Sequence, residues 1–210
     1  MPRVIGGTLA AHREHTTSKI FAALRALLYE RGYDSLTLAD IAEAAGMSRT
    51  AMYHYVPDKE SLLVAYAEHE TDAYLTRLDE ALRPLDNPVD QLRAYLRLQL
   101  EYFSGNHLPP GPTLRLLLPE GAADEVLGHV GMIEERLADI VKRGRDRRLL
   151  EAEDLDATVA MISACISRGS VAAPEATALA DTIASTEAFV LRAVGARLGP
   201  DGRARRIPRR

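Results

Sequence analysis

The chain has 210 residues, 47% of them hydrophobic, with no Trp, three Phe, one Cys and a formal net charge of −4. That apolar content can fill a core, whereas a lone Cys165 excludes an internal disulfide and a thiolate-only metal cluster. No apolar run reaches the ~18 residues of a membrane span and no secretory apolar region opens the chain, so a cytoplasmic protein with no membrane partner is expected.

Residues 1–15, MPRVIGGTLAAHREH, lack a sustained pattern and contain Gly6-Gly7, so they read as a mobile arm whose Arg3 and Arg13 could touch phosphate. Thr16 or Thr17 then caps a first helix running to about Arg31. Its apolar face is Ile20, Leu24, Leu27 and Leu28, and Gly32 ends it. Tyr33 and Leu36 fold back on that face, and Thr37 is placed to cap the next helix.

The stretch Leu36–Tyr55, LTLADIAEAAGMSRTAMYHY, holds the pattern that organises this region. Leu38, Ile41, Ala42 and Ala45 form one stripe, which stops at Gly46, a residue suited to a left-handed turn. Ser48 is a good N-cap and Met52 supplies the next apolar position, so a second short helix, about Arg49–Val56, follows at once. Small Ala42 allows close approach, Gly46 makes the turn and Met52 seals the corner. This is the helix-turn-helix plan, whose second helix enters a DNA major groove. The head carries seven Lys/Arg and seven Asp/Glu over residues 1–60, against fourteen and twenty-two over 61–199 and five and one over 200–210. The acidic excess is thus remote from the reading head, although a neutral head is a weaker polyanion signal than a basic one.

Pro57-Asp58-Lys59-Glu60 opens a long helix from Ser61 to about Leu82, a natural lever between two parts of the chain. Pro84 and Pro88 mark a break. Val89–Phe103 is amphipathic through Leu92, Leu96, Leu100 and Phe103, and Ser104–Pro112 is a loop. Leu114–Leu118 is a short apolar run. Gly121 to about Arg147, Glu153–Ala173 and about Glu175–Leu198 read as helices, and the tail DGRARRIPRR reads as basic and disordered. No strand pattern is visible, so the class is all-α. The last two helices hold Val159, Ile162, Ile166, Gly169, Leu179, Ile183, Phe189, Val190 and Val194, more apolar surface than a peripheral pair needs. Small Ser163, Ala164 and Ala172 permit close packing, so pairing with a second copy is expected.

Catalytic and metal chemistry find little support in the pattern. There is no Gly-x-Ser-x-Gly, no phosphate loop and no Cys/His arrangement, and Cys165 in MISACISRG reads as an inert thiol. His107 and His129, with Glu125 and Glu134, lack compact ligand spacing. Glu134-Glu135 are adjacent and diverge around a helix. No catalytic residues, metal or cofactor are therefore assigned, and the chain is not expected to be an enzyme.

From Lys19 to Leu63 the sequence resembles the TetR family of transcriptional regulators. The carrying string is ERGYDSLTLADIAEAAGMSRTAMYHYVPDKESLL: Gly-Tyr after the first helix, Thr at the start of the second, Ile-Ala before the turn, Gly-apolar-Ser, then Tyr with an aromatic or His pair, and Lys-Glu opening the fourth helix. The resemblance covers about a fifth of the chain. It implies an N-terminal three-helix head over residues 16–60, a larger helical ligand-binding and dimerisation domain over 61–199, and a homodimer through the last two helices. Thr37 then corresponds to a phosphate contact, Ser48, Arg49, Thr50 and His54 to positions facing bases or backbone, Tyr53 and Tyr55 to backbone-contacting aromatics, and Lys59 to a phosphate-binding lysine. Thr50-Ala51 and Val56 depart from the frequent residues, so the operator cannot be carried over. The implied partners are a palindromic duplex operator and an unknown small-molecule effector. Tyr95, Gln99, Phe103, Leu117, Met132, Met161 and Cys165 are the candidate effector liners, with Pro109–Pro119 as a mouth. Effector binding is expected to tilt the helix from Ser61 and change the spacing of the heads. A repressor is the main reading; a helical ligand-binding or interaction module with little DNA affinity is the alternative.

Overall fold

The computed structural model describes residues 9–105, 120–171 and 176–208. In chain order its elements are α1 Leu9–Arg31, α2 Leu38–Ala44, α3 Arg49–Met52, α4 Lys59–Leu82, α5 Pro88–Gly105, α6 Glu120–Asp146, α7 Leu155–Val171, α8 Ala176–Ala193, and a short antiparallel pair, β1 Arg197–Leu198 and β2 Ala204–Arg205. The fold is all-α with this one small hairpin. Among the described residues, 9–69 belong to one unit and 70–105, 128–171 and 176–208 to another, so the first unit extends to His69 within α4 rather than ending at residue 60.

The first unit is built on the face predicted for α1. Ile20, Leu24, Leu27 and Leu28 are buried together with Tyr33, Leu36, Ile41, Ala42, Met52, Leu62 and Leu63. From α4, Tyr66 meets Phe21 at a ring separation of 5.6 Å and its hydroxyl accepts from Arg25 Nε at 3.1 Å. Two expectations fail here. Residues 9–15 are helical rather than part of an arm, and Thr16 lies inside α1, its hydroxyl donating to the His12 carbonyl four residues back. A Thr whose hydroxyl bonds back along the helix needs no capping position, which is how Thr16 is accommodated inside α1.

The turn at Gly46 has the expected chemistry. Gly46 N–H donates to Glu43 O at 3.0 Å and Met47 N–H to Ala42 O at 2.9 Å, while Gly46 sits at φ +70°. These paired bonds satisfy the last carbonyls of α2 and require the left-handed residue that glycine supplies at least cost.

The second unit has its own core of Leu78, Val89, Leu92, Tyr95, Leu96, Leu100, Leu137, Ile140, Val141, Ile162, Ile166 and Val190. The last helix stops at Ala193 instead of Leu198, because Gly195 at φ +65° closes it with Ala196 N–H donating to Leu191 O. The tail is correspondingly ordered through residue 208. β1 and β2 pair Arg197 with Arg205 and Leu198 with Ala204, Arg93 donates to Gly202 O at 3.1 Å, and Ile207 N–H donates to Arg148 O at 2.7 Å. Basic composition suggested disorder for this segment, but main-chain bonds to the α6 end and to Arg93 hold it.

Arg148 closes α6 in the same manner as the two glycines, at φ +58°, with its N–H on Arg145 O and Leu149 N–H on Gly144 O. A side chain in that conformation costs on the order of 1 kcal/mol. Arg148→Gly is therefore expected to raise the stability of the chain by ~0.5–1 kcal/mol, read as a higher urea midpoint at unchanged slope.

Candidate nucleic-acid interface

The helix α2 begins at a complete capping box. Asp40 N–H donates to Thr37 Oγ1 at 3.2 Å, while Thr37 N–H and its hydroxyl donate to Asp40 Oδ2 at 2.8 and 2.6 Å. The expected cap is present, but both donors of Thr37 are already engaged by a carboxylate. A phosphate contact from Thr37 therefore has to compete with Asp40. That partner was readable from the spacing Thr-x-x-Asp, with Asp in the usual place of Glu.

Ser48 caps α3, its hydroxyl oxygen accepting from Ala51 N–H at 3.2 Å. The regular helix is only Arg49–Met52, shorter than the predicted span to Val56. Winding continues in tighter form, His54 N–H reaching Ala51 O and Tyr55 N–H reaching Met52 O, before Val56 meets Pro57. The residue before a proline is disfavoured in helical conformation, so the run stops there.

Ser48, Arg49, Thr50, Tyr53 and His54 are all solvent-exposed along this segment, while Met52 on the opposite side is fully buried. Arg49 lies over the Tyr53 ring at 5.8 Å and its Nη2 donates to the Tyr53 hydroxyl at 3.4 Å. The aromatic ring supports the guanidinium from below, which restricts its orientation. Tyr55 differs from its neighbours: it is half-buried and packs on the head core.

Lys59 is also less free than the sequence suggested. Its ammonium donates to Tyr33 O at 3.3 Å and stands 4.1 Å from the Tyr33 ring centroid. An ammonium has three donors, so hydrogen-bonding capacity toward phosphate remains. Tyr33 itself is buried with a hydroxyl that has no partner among the described residues, and burial, then the carboxylates of Glu60, Asp58 and Asp34, push its pKa up to about 12. Tyr33 was not singled out as a site residue; the Gly-Tyr after α1 was its only signal.

The head's helix starts carry a pH dependence of definite sign. Asp40 is held below the ordinary carboxylate range by the Thr37 hydroxyl and then its amide, and Asp58 by the Ser61 amide and hydroxyl. Depressed folded pKa values contribute stability above the unfolded range of about 4 and lose it as pH falls through the folded values. Protection of the amides at the starts of α2 and α4, relative to their intrinsic exchange rates, is expected to fall below pH ~4, and Asp40→Asn should remove that pH dependence at α2 only.

The candidate effector liners are not brought together. Tyr95 and Gln99 are buried and bonded, Gln99 Nε2 donating to the Tyr95 hydroxyl at 3.1 Å and that hydroxyl donating to Ile133 O at 3.3 Å. Phe103, Met132 and Met161 are instead 43%, 39% and 62% exposed, and Cys165 is half-buried. Met161 faces away because Ile162 and Ile166 take the inward side of α7. Leu117, His107 and the mouth at Pro109–Pro119 lie outside the described residues, as do the side chains of His129 and Glu125. Among the described residues, no group of three His, Cys, Asp or Glu side chains gathers as a metal site requires, and no helix is long and apolar enough to cross a membrane.

Residues 20–66, from the inner half of α1 through α3 to Tyr66, match the model for bacterial regulatory proteins of the tetR family. This head matches the TetR family. The transcriptional regulator TtgR of Pseudomonas putida is 36% identical over 93 residues, which are 43% of this chain and 42% of that protein. The chain thus matches less than half the length of this curated relative. Among solved structures, a TetR-family regulator from Agrobacterium tumefaciens aligns over 86% of this chain and 98% of its own, with a TM-score of 0.74 at 20% identity. That likeness extends the TetR fold beyond the head. The structure of RolR with resorcinol covers 90% of this chain and 91% of its own, at 27% identity and a TM-score of 0.58.

Proposed function

We propose that the chain is a sequence-specific, DNA-binding transcriptional regulator of the cytoplasm, a homodimeric repressor released from a palindromic operator by a small molecule. The observation that carries the reading is the exposed row of Ser48, Arg49, Thr50, Tyr53 and His54 along a TetR α3 whose inner side is sealed by Met52. Arg49 is the candidate base reader, since its fork suits guanine O6 and N7, and Tyr53 and Lys59 are candidates for the phosphates.

Dimerisation is supported by what α7 and α8 leave uncovered. Most of the apolar residues predicted for an interface face inward: Ile162, Ile166, Val190 and Val194 are buried in the unit's own core. The exposed set is different. Ala157, Ala160, Met161 and Ala164 lie at helical spacing on α7, and Ala180, Ala184, Ala188 and Phe189 on α8. Two helices that expose mostly small residues with one large apolar side chain each suit close packing against a second copy.

Effector binding is supported by two polar atoms buried without a partner among the described residues, the Tyr74 hydroxyl and Gln99 Oε1. Both side chains belong to α4 and α5, and a ligand offering a donor to Gln99 would satisfy a group that is otherwise costly to bury. RolR holds resorcinol, which makes small phenols a first class to screen. Helix α4 is continuous from Lys59 to Leu82, which is consistent with its acting as the lever.

The test is selection of duplexes from a random library by the purified protein. Enrichment of a palindrome with half-sites about one helical turn apart is expected. Arg49→Ala should then weaken binding by ~1–3 kcal/mol and relax preference at one position of each half-site, as read from titration of single-base operator variants. Binding without an enriched sequence would sink the reading.

A further inference from the structure

We propose that a cleft in the second unit, between the end of α4, the α4–α5 connection and the second half of α6, binds a small carboxylate that also carries a hydroxyl or ammonium donor. The cleft has a volume of about 440 Å³ and shares no residue with the Tyr95–Gln99 pair. Its size falls within the ~300–1,000 Å³ typical of small-molecule sites.

Four guanidiniums line it, those of Arg83, Arg136, Arg143 and Arg147. Arg136 is committed to Asp79 by two parallel bonds, Nε to Oδ1 at 3.0 Å and Nη2 to Oδ2 at 3.2 Å. The other three are not neutralised in this way. Arg143 donates Nε to the Asp139 carbonyl of its own helix at 3.2 Å, and Arg147 donates Nη1 to the Asp86 carbonyl at 2.7 Å. A carbonyl orients a guanidinium without cancelling its charge, so the remaining N–H groups stay available to an anion. Arg83 is exposed, and its side chain makes no hydrogen bond among the described residues; its charge is felt at Asp79.

The second requirement comes from Gln91. This lining residue is 7% exposed, and its Nε2 donates to Leu85 O at 2.6 Å and Leu82 O at 3.4 Å. Turning the amide over would set its oxygen against two carbonyl oxygens, so the end of α4 determines its orientation. Oε1 is left buried without a donor among the described residues. The guanidiniums ask for an anion and the Gln91 oxygen, on a residue that lines the same cleft, asks for an N–H or O–H, and one molecule with both groups that displaces the packing over that oxygen would meet them together. The carboxylates of Asp86 and Asp139 also line the cleft and oppose a bare polyanion, while accepting from a ligand's donor. The matching class is a 2-hydroxy or 2-amino carboxylic acid.

Calorimetric titration of the full chain with succinate, malate and aspartate separates the parts of this inference, because the three share a four-carbon dicarboxylate and differ in the donor. Malate or aspartate is expected to bind saturably, one per chain, and roughly tenfold or more tighter than succinate, since only they reach the Gln91 oxygen. The double variant Arg83→Gln/Arg143→Gln should lower that affinity by at least about tenfold. The Arg83 side chain makes no hydrogen bond among the described residues and Arg143 bonds only within α6, so circular dichroism should be unchanged. Gln91→Met should remove the preference for the donor-bearing acids. No saturable binding of any probe, equal affinity for all three, or binding undiminished in the arginine double variant would overturn the proposal.

Discussion

The double variant Met161→Glu/Phe189→Glu is expected to be monomeric and to lose operator affinity by about 10²–10⁴-fold. Met161 is 62% exposed and Phe189 54% exposed, on helices whose neighbouring exposed positions are mostly alanine. In a symmetric pairing each protomer would bring two carboxylates into a contact formed mainly by Ala157, Ala160, Ala164, Ala180, Ala184 and Ala188, with Arg192 an exposed cation at the end of α8. Desolvating even one unpaired charge outweighs what such an interface gains from a side chain. On the proposed function, a palindrome is held by two heads, so a monomer would forfeit the second binding event. Sedimentation velocity reads the oligomeric state, and a titration on the selected duplex reads the affinity. Both substituted positions are exposed in the single chain, so its helical signal should be retained. A variant that remains dimeric would place the interface elsewhere.

Ile41→Ala should cost the head ~2–5 kcal/mol. Ile41 is 0% exposed and lies in the core that joins α1, α2, α3 and the start of α4, with Leu24, Met52 and Leu63 also at 0%. Helix α3 has only four regular residues, too few to hold itself, so its orientation depends on that packing. Loss of three carbons' worth of contact and the cavity left behind fall on the element that carries Arg49. Native-state hydrogen exchange should show amides of α1–α3 opening on the order of 10²–10³ times more readily, with operator binding weakened in parallel. Unchanged exchange there would mean that the corner is held by something other than Ile41.

Local chemistry was the part most readable in advance. Gly46 ends α2 because a turn of that hand suits glycine, Thr37 and Ser48 start helices because their hydroxyl oxygens accept from main-chain N–H groups, and the α1 stripe predicts its own burial. The errors fall where a distant partner decides. Thr16 resembles a cap, yet α1 runs through it to Leu9. The tail is rich in arginine, yet Ile207 N–H finds Arg148 O and β1 finds β2.

The sequence by itself determined the helical class, the helix-turn-helix and the residues that α3 exposes, because periodicity, capping and turn residues act within a few positions of the chain. Only the tertiary structure decided which side of α7 and α8 faces outward, so that Met161 lies on an exposed face and not in a pocket. It also showed Thr37 and Lys59 already engaged by Asp40 and Tyr33, and it gathered Arg83, Gln91 and Arg143 around one cleft. Those outcomes depend on which helices meet and at what rotation. Such choices are made by burial summed over a whole core, which no local pattern contains.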